Sequence, residues 1–183
     1  MQACVRAGAA ESLGRLRDNR AITPLIKHLQ DPEVNVRGKA GRALVEIGKP
    51  VEEALISALR DGDNTTQAGV AVVLGEIGDE RSMEPLLLAF QNGDRDVRHA
   101  AVTALARINA SRALQPFVRF LQDPNAGSDI RADAAWALGE MNDIKARGPL
   151  LKAMALDKDD NVRLSAAKAL KNIGRVSVPV YSI

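Results

Sequence analysis

The feature that most constrains the fold of this chain is a short pattern that recurs about every 31 residues. A Val-Arg pair, or a variant of it, has its second position at residues 6, 37, 67, 98, 131 and 163. The intervals between these positions are 31, 30, 31, 33 and 32 residues, and a leucine follows each of them seven residues later. Because a repeat of this length along a whole chain is typical of solenoid proteins, the sequence predicts an array of similar units.

The fourth copy, residues 94–123, indicates that each unit is a pair of helices. Its first apolar residues are spaced three or four positions apart, which places them on one helical face, and they are Val97, Ala101, Ala104, Leu105 and Ile108. Residues 109–111 favour a turn, and the same spacing then resumes at Leu114, Phe117, Val118 and Leu121. A helical hairpin of this size cannot bury both apolar stripes alone, so neighbouring copies must cover them. The sequence therefore predicts an all-α solenoid with six first helices and five second helices.

Two copies carry most of a longer pattern, Asp…Val-Arg-x-x-Ala-x-x-Ala-Leu-Gly-x-Ile-Gly-Asp…Pro-Leu, within residues 66–86 and 96–121. This pattern resembles the HEAT-like repeat, in its short phycobilisome-lyase-type variety. The resemblance implies a right-handed α-solenoid of about five and a half helical hairpins over residues 1–174. The repeats are expected at about 1–30, 31–60, 61–92, 93–122, 123–156 and, as a partial copy, 157–174. Residues 175–183 form a tail, which we expect to fold over the last helix through Val178 and Tyr181.

The composition indicates in which cellular compartment the protein works and which classes of partner it does not bind. Hydrophobic residues make up 46% of the 183 residues, enough for a core, and aromatic residues only 3%, so the core must be mostly Ala, Leu, Val and Ile. A net charge of +2, with 26% charged residues, argues against a dedicated nucleic-acid or membrane surface. Cys4 is the only cysteine, and the first residues contain no apolar signal segment, so we expect a cytoplasmic protein without disulfides.

No motif for catalysis, cofactor binding or a metal site is found in the sequence. The iron-dependent HEAT-repeat hydroxylases use repeated His-Glu pairs, whereas Leu29 and Ala100 follow the two histidines, His28 and His99. No cysteine lies near either histidine at the spacing of zinc ligands. Nucleophile-elbow, Walker and dinucleotide-binding motifs are absent from the sequence. We therefore predict that the protein is not an enzyme and uses no cofactor.

Arginine recurs at the second position of the pair in five of the six copies, and Gln67 replaces it in the third. These residues, which we call the arginine ladder, are Arg6, Arg37, Arg98, Arg131 and Arg163. The ladder could bind a ligand. In the structural interpretation, each guanidinium instead hydrogen-bonds carboxylates and carbonyls of the turns between repeats. Because the arginines recur at the repeat period, on the edge of the apolar face, we favour the structural interpretation.

Arrays of HEAT-like repeats mostly serve as binding scaffolds, so the resemblance implies a non-catalytic protein that binds a protein or peptide partner on its concave face. The repeat variety alone suggests one alternative, a bilin (chromophore) lyase or chaperone subunit. A HEAT-like nucleic-acid-binding module is less favoured, because charges of both signs alternate where basic and aromatic residues would be needed. Neither end of the array carries an obvious polar cap, which suggests end-to-end self-association or attachment to a longer array.

The candidate partner site follows from aligning the second helices on Leu25, Leu55, Leu86, Phe117 and Leu150. The residue two positions further on is rotated about 200° away from the core. The row at that position contains Lys27, Ser57, Leu88, Arg119 and Lys152. With Glu53, Glu84 and Phe120, this row forms the predicted site, in which Leu88 is an apolar centre among charges of both signs. The alternative is that one exposed leucine is ordinary on any surface. Trp136, the only tryptophan, is expected on the opposite, outward face.

Overall fold

The computed structural model describes residues 2–173, and this range is built from helices, with no β-strand. The predicted all-α fold is therefore confirmed. The α-helices are α1 (Ala3–Leu16), α2 (Ile22–Lys27), α3 (Val34–Ile47), α4 (Glu52–Asp61), α5 (Asn64–Ile77), α6 (Met83–Asn92), α7 (Arg95–Gln122), α8 (Ser128–Met141), α9 (Arg147–Leu156) and α10 (Asp160–Asn172). No helix in this range combines the length and the apolar character that a membrane span requires. The predicted contact of Val178 and Tyr181 with the last helix lies outside the described residues.

The longest helix, α7, is interrupted at Asn109, whose φ of −165° and ψ of 91° are not helical. α7 therefore consists of two helical parts, and the interruption predicted at residues 109–111 is confirmed at Asn109. The chain also divides at this point into two compact units, residues 1–109 and 110–183, which are described separately below. This division falls inside the predicted fourth repeat, 93–122.

In the first unit, the first helices α1, α3 and α5 pack in sequence order, and the second helix α4 contacts both α2 and α6. The core is formed by the leucines of the repeat pattern, which are fully buried, and these are Leu25, Leu44, Leu55, Leu74, Leu86 and Leu105. Complete burial of one such side chain contributes about 1.5–3 kcal/mol. Leu25, Leu55 and Leu86 are the anchors chosen from the sequence for the second helices. The other three follow the Val-Arg position by seven residues, so the burial of all six agrees with the predicted register.

Two glycines allow first helices of the first unit to approach closely. A Cβ atom on Gly75 of α5 would come within 2.6 Å of the Cα atom of Ala104 in α7, and one on Gly14 would meet Ala43 at the same distance. Gly48 and Gly78 have a different role, because their φ angles of 80° and 76° place them in the left-handed region at helix ends. The repeat-equivalent glycines therefore serve two separate purposes.

The second unit repeats the same arrangement in its described residues, 110–173. The helix α10 packs against both α8 and α9, and the core contains the fully buried Phe117, Leu138 and Leu150. Gly139 of α8 approaches Ala169 of α10 as Gly75 approaches Ala104, with 2.7 Å between a built Cβ and the Ala169 Cα. Each unit is thus a stack of helical hairpins.

Aspartates that stand four residues before the second position of the Val-Arg pair cap several helices at their N-termini. The Asp63 carboxylate accepts a hydrogen bond of 2.8 Å from the Thr66 N–H at the start of α5. Asp94 accepts one of 3.0 Å from the Val97 N–H, and Asp159 does the same for α10. Such a cap contributes about 1 kcal/mol by satisfying a main-chain donor of the first turn.

Candidate functional site

A cleft of about 420 Å³ lies between the second helices α4 and α6 of the first unit, and we call it the α4–α6 cleft. Its apolar lining includes Ile56, Leu59, Pro85 and Leu88, and its polar lining includes Arg60 and Asn92. Leu88 is 51% exposed, so half of a large apolar side chain is open to solvent at this cleft.

The anchors of α4 and α6 explain why Leu88 and Ile56 line the cleft. Leu86 is fully buried, and Leu88 is rotated about 200° from it around the helix, which turns its side chain away from the core. Ile56 follows the buried Leu55 by one residue, about 100° around the helix, and is half-buried where α4 faces its neighbour. The cleft therefore has an apolar wall from each helix.

Of the predicted site residues in the first unit, the structure places Leu88 in the cleft lining. Lys27, Glu53, Ser57 and Glu84 are exposed on α2, α4 and α6, where the sequence predicts them. The Ser57 hydroxyl donates a hydrogen bond of 3.3 Å to the Asp61 carboxylate on the same helix. These four polar residues thus lie on the second helices without lining the cleft itself.

The remaining predicted site residues belong to the second unit. Arg119 is exposed, whereas Phe120 is half-buried with its ring tilted against that of Phe117, at 6.5 Å between ring centres. Lys152 lines a smaller cleft of about 270 Å³ together with Pro149. Since Lys152 and Pro149 are the repeat equivalents of Leu88 and Pro85, the two clefts are copies of one feature of the repeat. Of these two clefts, the α4–α6 cleft has a leucine at this position and the smaller cleft has a lysine.

The sequence carried a further signal that the prediction did not use. The residue directly after each anchor of the second helices is apolar in every copy, and these residues are Ile26, Ile56, Leu87, Val118 and Leu151. Ile26, Ile56, Leu87 and Val118 are half-buried and Leu151 is exposed. In the first unit, Ile26, Ile56 and Leu87 therefore leave part of an apolar side chain accessible on the second helices. Trp136, expected to face outward, is half-buried on α8.

The ladder arginines bind the turns that precede their own helices. The Nη1 atoms of Arg37 and Arg163 donate to the main-chain carbonyls of Asp31 and Asp157, each at 2.8 Å. Arg98 donates in the same way to the Gly93 carbonyl at 3.0 Å. At the third copy, the shorter Gln67 reaches the carbonyl of Arg60 at 3.4 Å.

Two ladder arginines also bind the turn at the other end of their hairpin. Arg6 pairs with the Asp31 carboxylate through Nε and Nη2, at 2.6 and 2.9 Å. Arg131 makes the same two-pronged pair with Asp157, at 2.9 Å for both bonds. Because the main-chain carbonyls of the same aspartates accept from Arg37 and Arg163, each aspartate links two successive ladder arginines. The structural interpretation of the arginine ladder requires contacts of this kind. The contribution of the ladder to the stability of the fold stays a prediction.

The Arg6–Asp31 pair leads to a prediction about acid stability. The hydrogen bond from Arg6 lowers the pKa of Asp31 to about 2. A carboxylate whose pKa is lower in the folded than in the unfolded chain stabilises the fold above about pH 4, and this stabilisation is lost as the pH falls towards about 2. Asp31→Asn should therefore melt well below the unaltered protein at neutral pH, and the difference should shrink on acidification. Thermal melts over this range test it, and a difference that stays constant with pH would contradict it.

Glu52 is a buried carboxylate, only 1% exposed at the start of α4. It pairs with the Arg81 guanidinium and accepts a hydrogen bond of 3.5 Å from the Ser82 hydroxyl. Burial, reinforced by the nearby charge of Asp79, raises the pKa of Glu52. The repeat-equivalent residues Ile22 and Met83 are buried and apolar, so Glu52 is a polar residue at a core position.

His28 has a partner on its own helix. His28 Nδ1 lies 2.7 Å from the Pro24 carbonyl one turn earlier on α2. Within residues 2–173, no three His, Cys, Asp or Glu side chains are grouped so as to hold a metal ion. Cys4 is a free, exposed thiol on α1.

The chain matches one protein family over nearly its whole length. The family of HEAT repeats matches four overlapping segments, residues 2–55, 22–92, 52–138 and 83–171. No curated protein sequence matches the chain. Its fold is similar to the complex of CpcE and CpcF of phycocyanin lyase from Nostoc sp., with a TM-score of 0.63 and 23% identity over 84% of this chain and 99% of that chain.

Two further solved structures have a lower similarity. Human deoxyhypusine hydroxylase in complex with glycerol matches with a TM-score of 0.48 and 22% identity, over 94% of this chain and 80% of that chain. A designed armadillo repeat protein in complex with the peptide (KR)4 matches with a TM-score of 0.42 and 20% identity, over 91% and 92% of the two chains. At these identities the similarity concerns the fold.

Proposed function

Because this chain belongs to the HEAT-repeat family, we propose that it is a non-catalytic cytoplasmic scaffold that binds a protein or peptide partner along the second helices of its hairpins. The observation that carries the proposal is the α4–α6 cleft with the half-exposed Leu88. Burying the exposed half of a leucine in a partner interface removes apolar surface from water and favours association.

The surroundings of Leu88 support a protein partner. Ile56 and Pro85 give the cleft an apolar centre, and Arg60 and Asn92 stand at its polar edge. Glu53 and Glu84 are exposed on the same two helices. Protein interfaces commonly consist of an apolar core inside a polar rim, and an arginine at the rim favours a partner with a carboxylate nearby. The fitting ligand is therefore a segment with one large apolar side chain, an acidic residue that meets Arg60 and basic residues that meet Glu53 or Glu84.

The proposal predicts the effect of charge changes on this surface. Leu88→Asp should weaken partner binding by about 1–3 kcal/mol, because it removes an apolar side chain that the interface would bury. The helical circular dichroism should not change, since the Leu88 side chain lies largely outside the core. The partner is obtained by affinity capture from the source cell, and its affinity for each purified variant is then measured by calorimetry.

Leu164→Asp is the matched control for Leu88→Asp. Leu164 is 53% exposed on α10, so the same substitution at the same exposure should leave partner affinity unchanged. Equal losses at both positions would contradict the proposed site, as would full binding by Leu88→Asp. Visible absorbance on addition of a bilin would favour a chromophore lyase or chaperone subunit instead, and a salt-dependent gel shift would favour nucleic-acid binding.

A further inference from the structure

The first unit contains a second cleft, a groove of about 560 Å³ along its first helices, which we call the α5 groove. The helix α5 forms its floor through Thr65, Ala68 and Val72. The helix α3 provides one wall, which includes Val34, and Ala100 of α7 belongs to the other wall. None of the residues in the α4–α6 cleft described above lines this groove.

The floor of the groove differs from the corresponding surface of the other repeats. From Asn64 to Gly75, α5 contains no charged residue, and Glu76, which also lines the groove, is paired with Arg107 at 3.6 Å. Val72 is 43% exposed, and its equivalents in the other five copies are Glu11, Arg42, Thr103, Trp136 and Lys168. Val34 on the neighbouring wall is 71% exposed. Since stacking of the repeats does not require an apolar residue at these positions, the exposed valines form an apolar surface with no structural role in the hairpins.

The two walls of the groove carry opposite charges. On the α3 side, Arg37 and Arg42 line the groove, and on the α7 side, Asp94 and Asp96 do so. Arg37 and Asp94 are already engaged with main-chain groups, whereas Arg42 and Asp96 are exposed. The groove therefore presents an apolar floor between a basic and an acidic wall.

The dimensions of the groove select the kind of ligand. α5 has 14 residues, so the floor is about 21 Å long. Helices packed side by side have axes about 8–10 Å apart, so the axes of α3 and α7 lie about 16–20 Å apart on either side of α5. A partner α-helix that lies along α5 can therefore rest one face on α5 and reach the side chains of α3 and α7 with its two edges.

We propose that the α5 groove binds an amphipathic α-helix of a partner protein. The apolar stripe of that helix rests on Val34 and Val72, its acidic edge faces Arg42, and its basic edge faces Asp96. This site is independent of the function proposed above, because it uses the first helices of the hairpins instead of the second. It gives the first unit two separate surfaces for protein partners.

Three synthetic helical peptides, each as long as α5 and with the same Leu/Ala stripe, test the proposal. One carries Glu along one edge of the stripe and Lys along the other, the second carries Lys on both edges, and the third carries Glu on both. Binding to the full chain is measured by fluorescence anisotropy at low salt. The split-charge peptide should bind about tenfold more tightly than either single-sign peptide, since only it complements both walls.

Two substitutions test whether the split-charge peptide binds in the α5 groove. Val72→Arg should abolish binding of the split-charge peptide, and the fold should tolerate it because Arg42 and Lys168 occupy equivalent positions. Arg42→Asp makes both walls acidic, so the preference should switch to the peptide with Lys on both edges. Leu88→Asp, in the α4–α6 cleft, should change neither affinity. Equal affinities for the three peptides, no binding up to about 1 mM, or unchanged binding by Val72→Arg would overturn the proposal.

Discussion

Arg131→Ala is expected to lower the free energy of unfolding by about 3 kcal/mol. The Arg131–Asp157 pair has side-chain exposures of 4% and 10%, so removing the arginine leaves a nearly buried carboxylate without its cation. The same change deletes the hydrogen bond of 2.6 Å from Nη1 to the Ala126 carbonyl. Removing one partner of a buried pair costs about 3–5 kcal/mol, and the partial exposure of Asp157 places this case at the lower end.

The ladder itself provides the control for this prediction. Arg163 holds the equivalent position one repeat further on, but its carboxylate partner Asp160 is 85% exposed. Arg163→Ala should therefore cost about 1 kcal/mol or less, as for surface ion pairs. Arg131→Lys keeps the charge but loses the two-pronged geometry, and its cost should lie between the two. Urea unfolding curves give all three values, and a cost near zero for Arg131→Ala would contradict the structural interpretation of the ladder.

Gly75→Ala should also destabilise the protein by about 3 kcal/mol, although alanine is the better helix former. The added methyl group would lie 2.6 Å from the Ala104 Cα atom and 2.8 Å from its Cβ atom. A main-chain atom cannot rotate away as a flexible side chain can, so the helices α5 and α7 would have to separate. The expected loss is at the upper end of the range for overpacking, about 1–3 kcal/mol.

Gly8→Ala is the matched control, because Gly8 is also inside a first helix and a Cβ atom there meets nothing within 4 Å. This change should raise the free energy of unfolding by about 0.5–1 kcal/mol through helix propensity alone. Thermal and urea unfolding of the two variants separate the effect of contact from that of propensity. If Gly75→Ala were as stable as Gly8→Ala, the close approach of α5 and α7 would be wrong.

The helical fold was predictable because the information for it is periodic. A leucine seven residues after the Val-Arg position recurs in every copy, and the residues that share its helical face follow from the geometry of one helix. The aspartate caps and the break at Asn109 are equally local, since the donor and acceptor are a few residues apart. Such features depend on neighbouring residues in the chain.

Features that depend on contacts between repeats were not predictable in this way. Glu52 reads as an ordinary acidic residue of a first helical turn, yet it is buried because Arg81 and Ser82 reach it from the next repeat. Ile56 reads as a core residue, and only its place beside α6 turns it into a wall of the α4–α6 cleft. The alignment of the second helices identified Leu88 as an apolar residue in a mostly polar row. It did not identify the other side chains of the cleft, because those side chains come from two different hairpins.

Site-specific photo-crosslinking tests the central claim, that the second helices bind the partner, most directly. A benzophenone side chain is introduced in place of Leu88, and in a second variant in place of Ser12, an exposed residue of α1. After mixing with the captured partner and irradiation, the proposed function predicts a covalent adduct from position 88 and none from position 12. An adduct from position 12 with none from position 88 would contradict it.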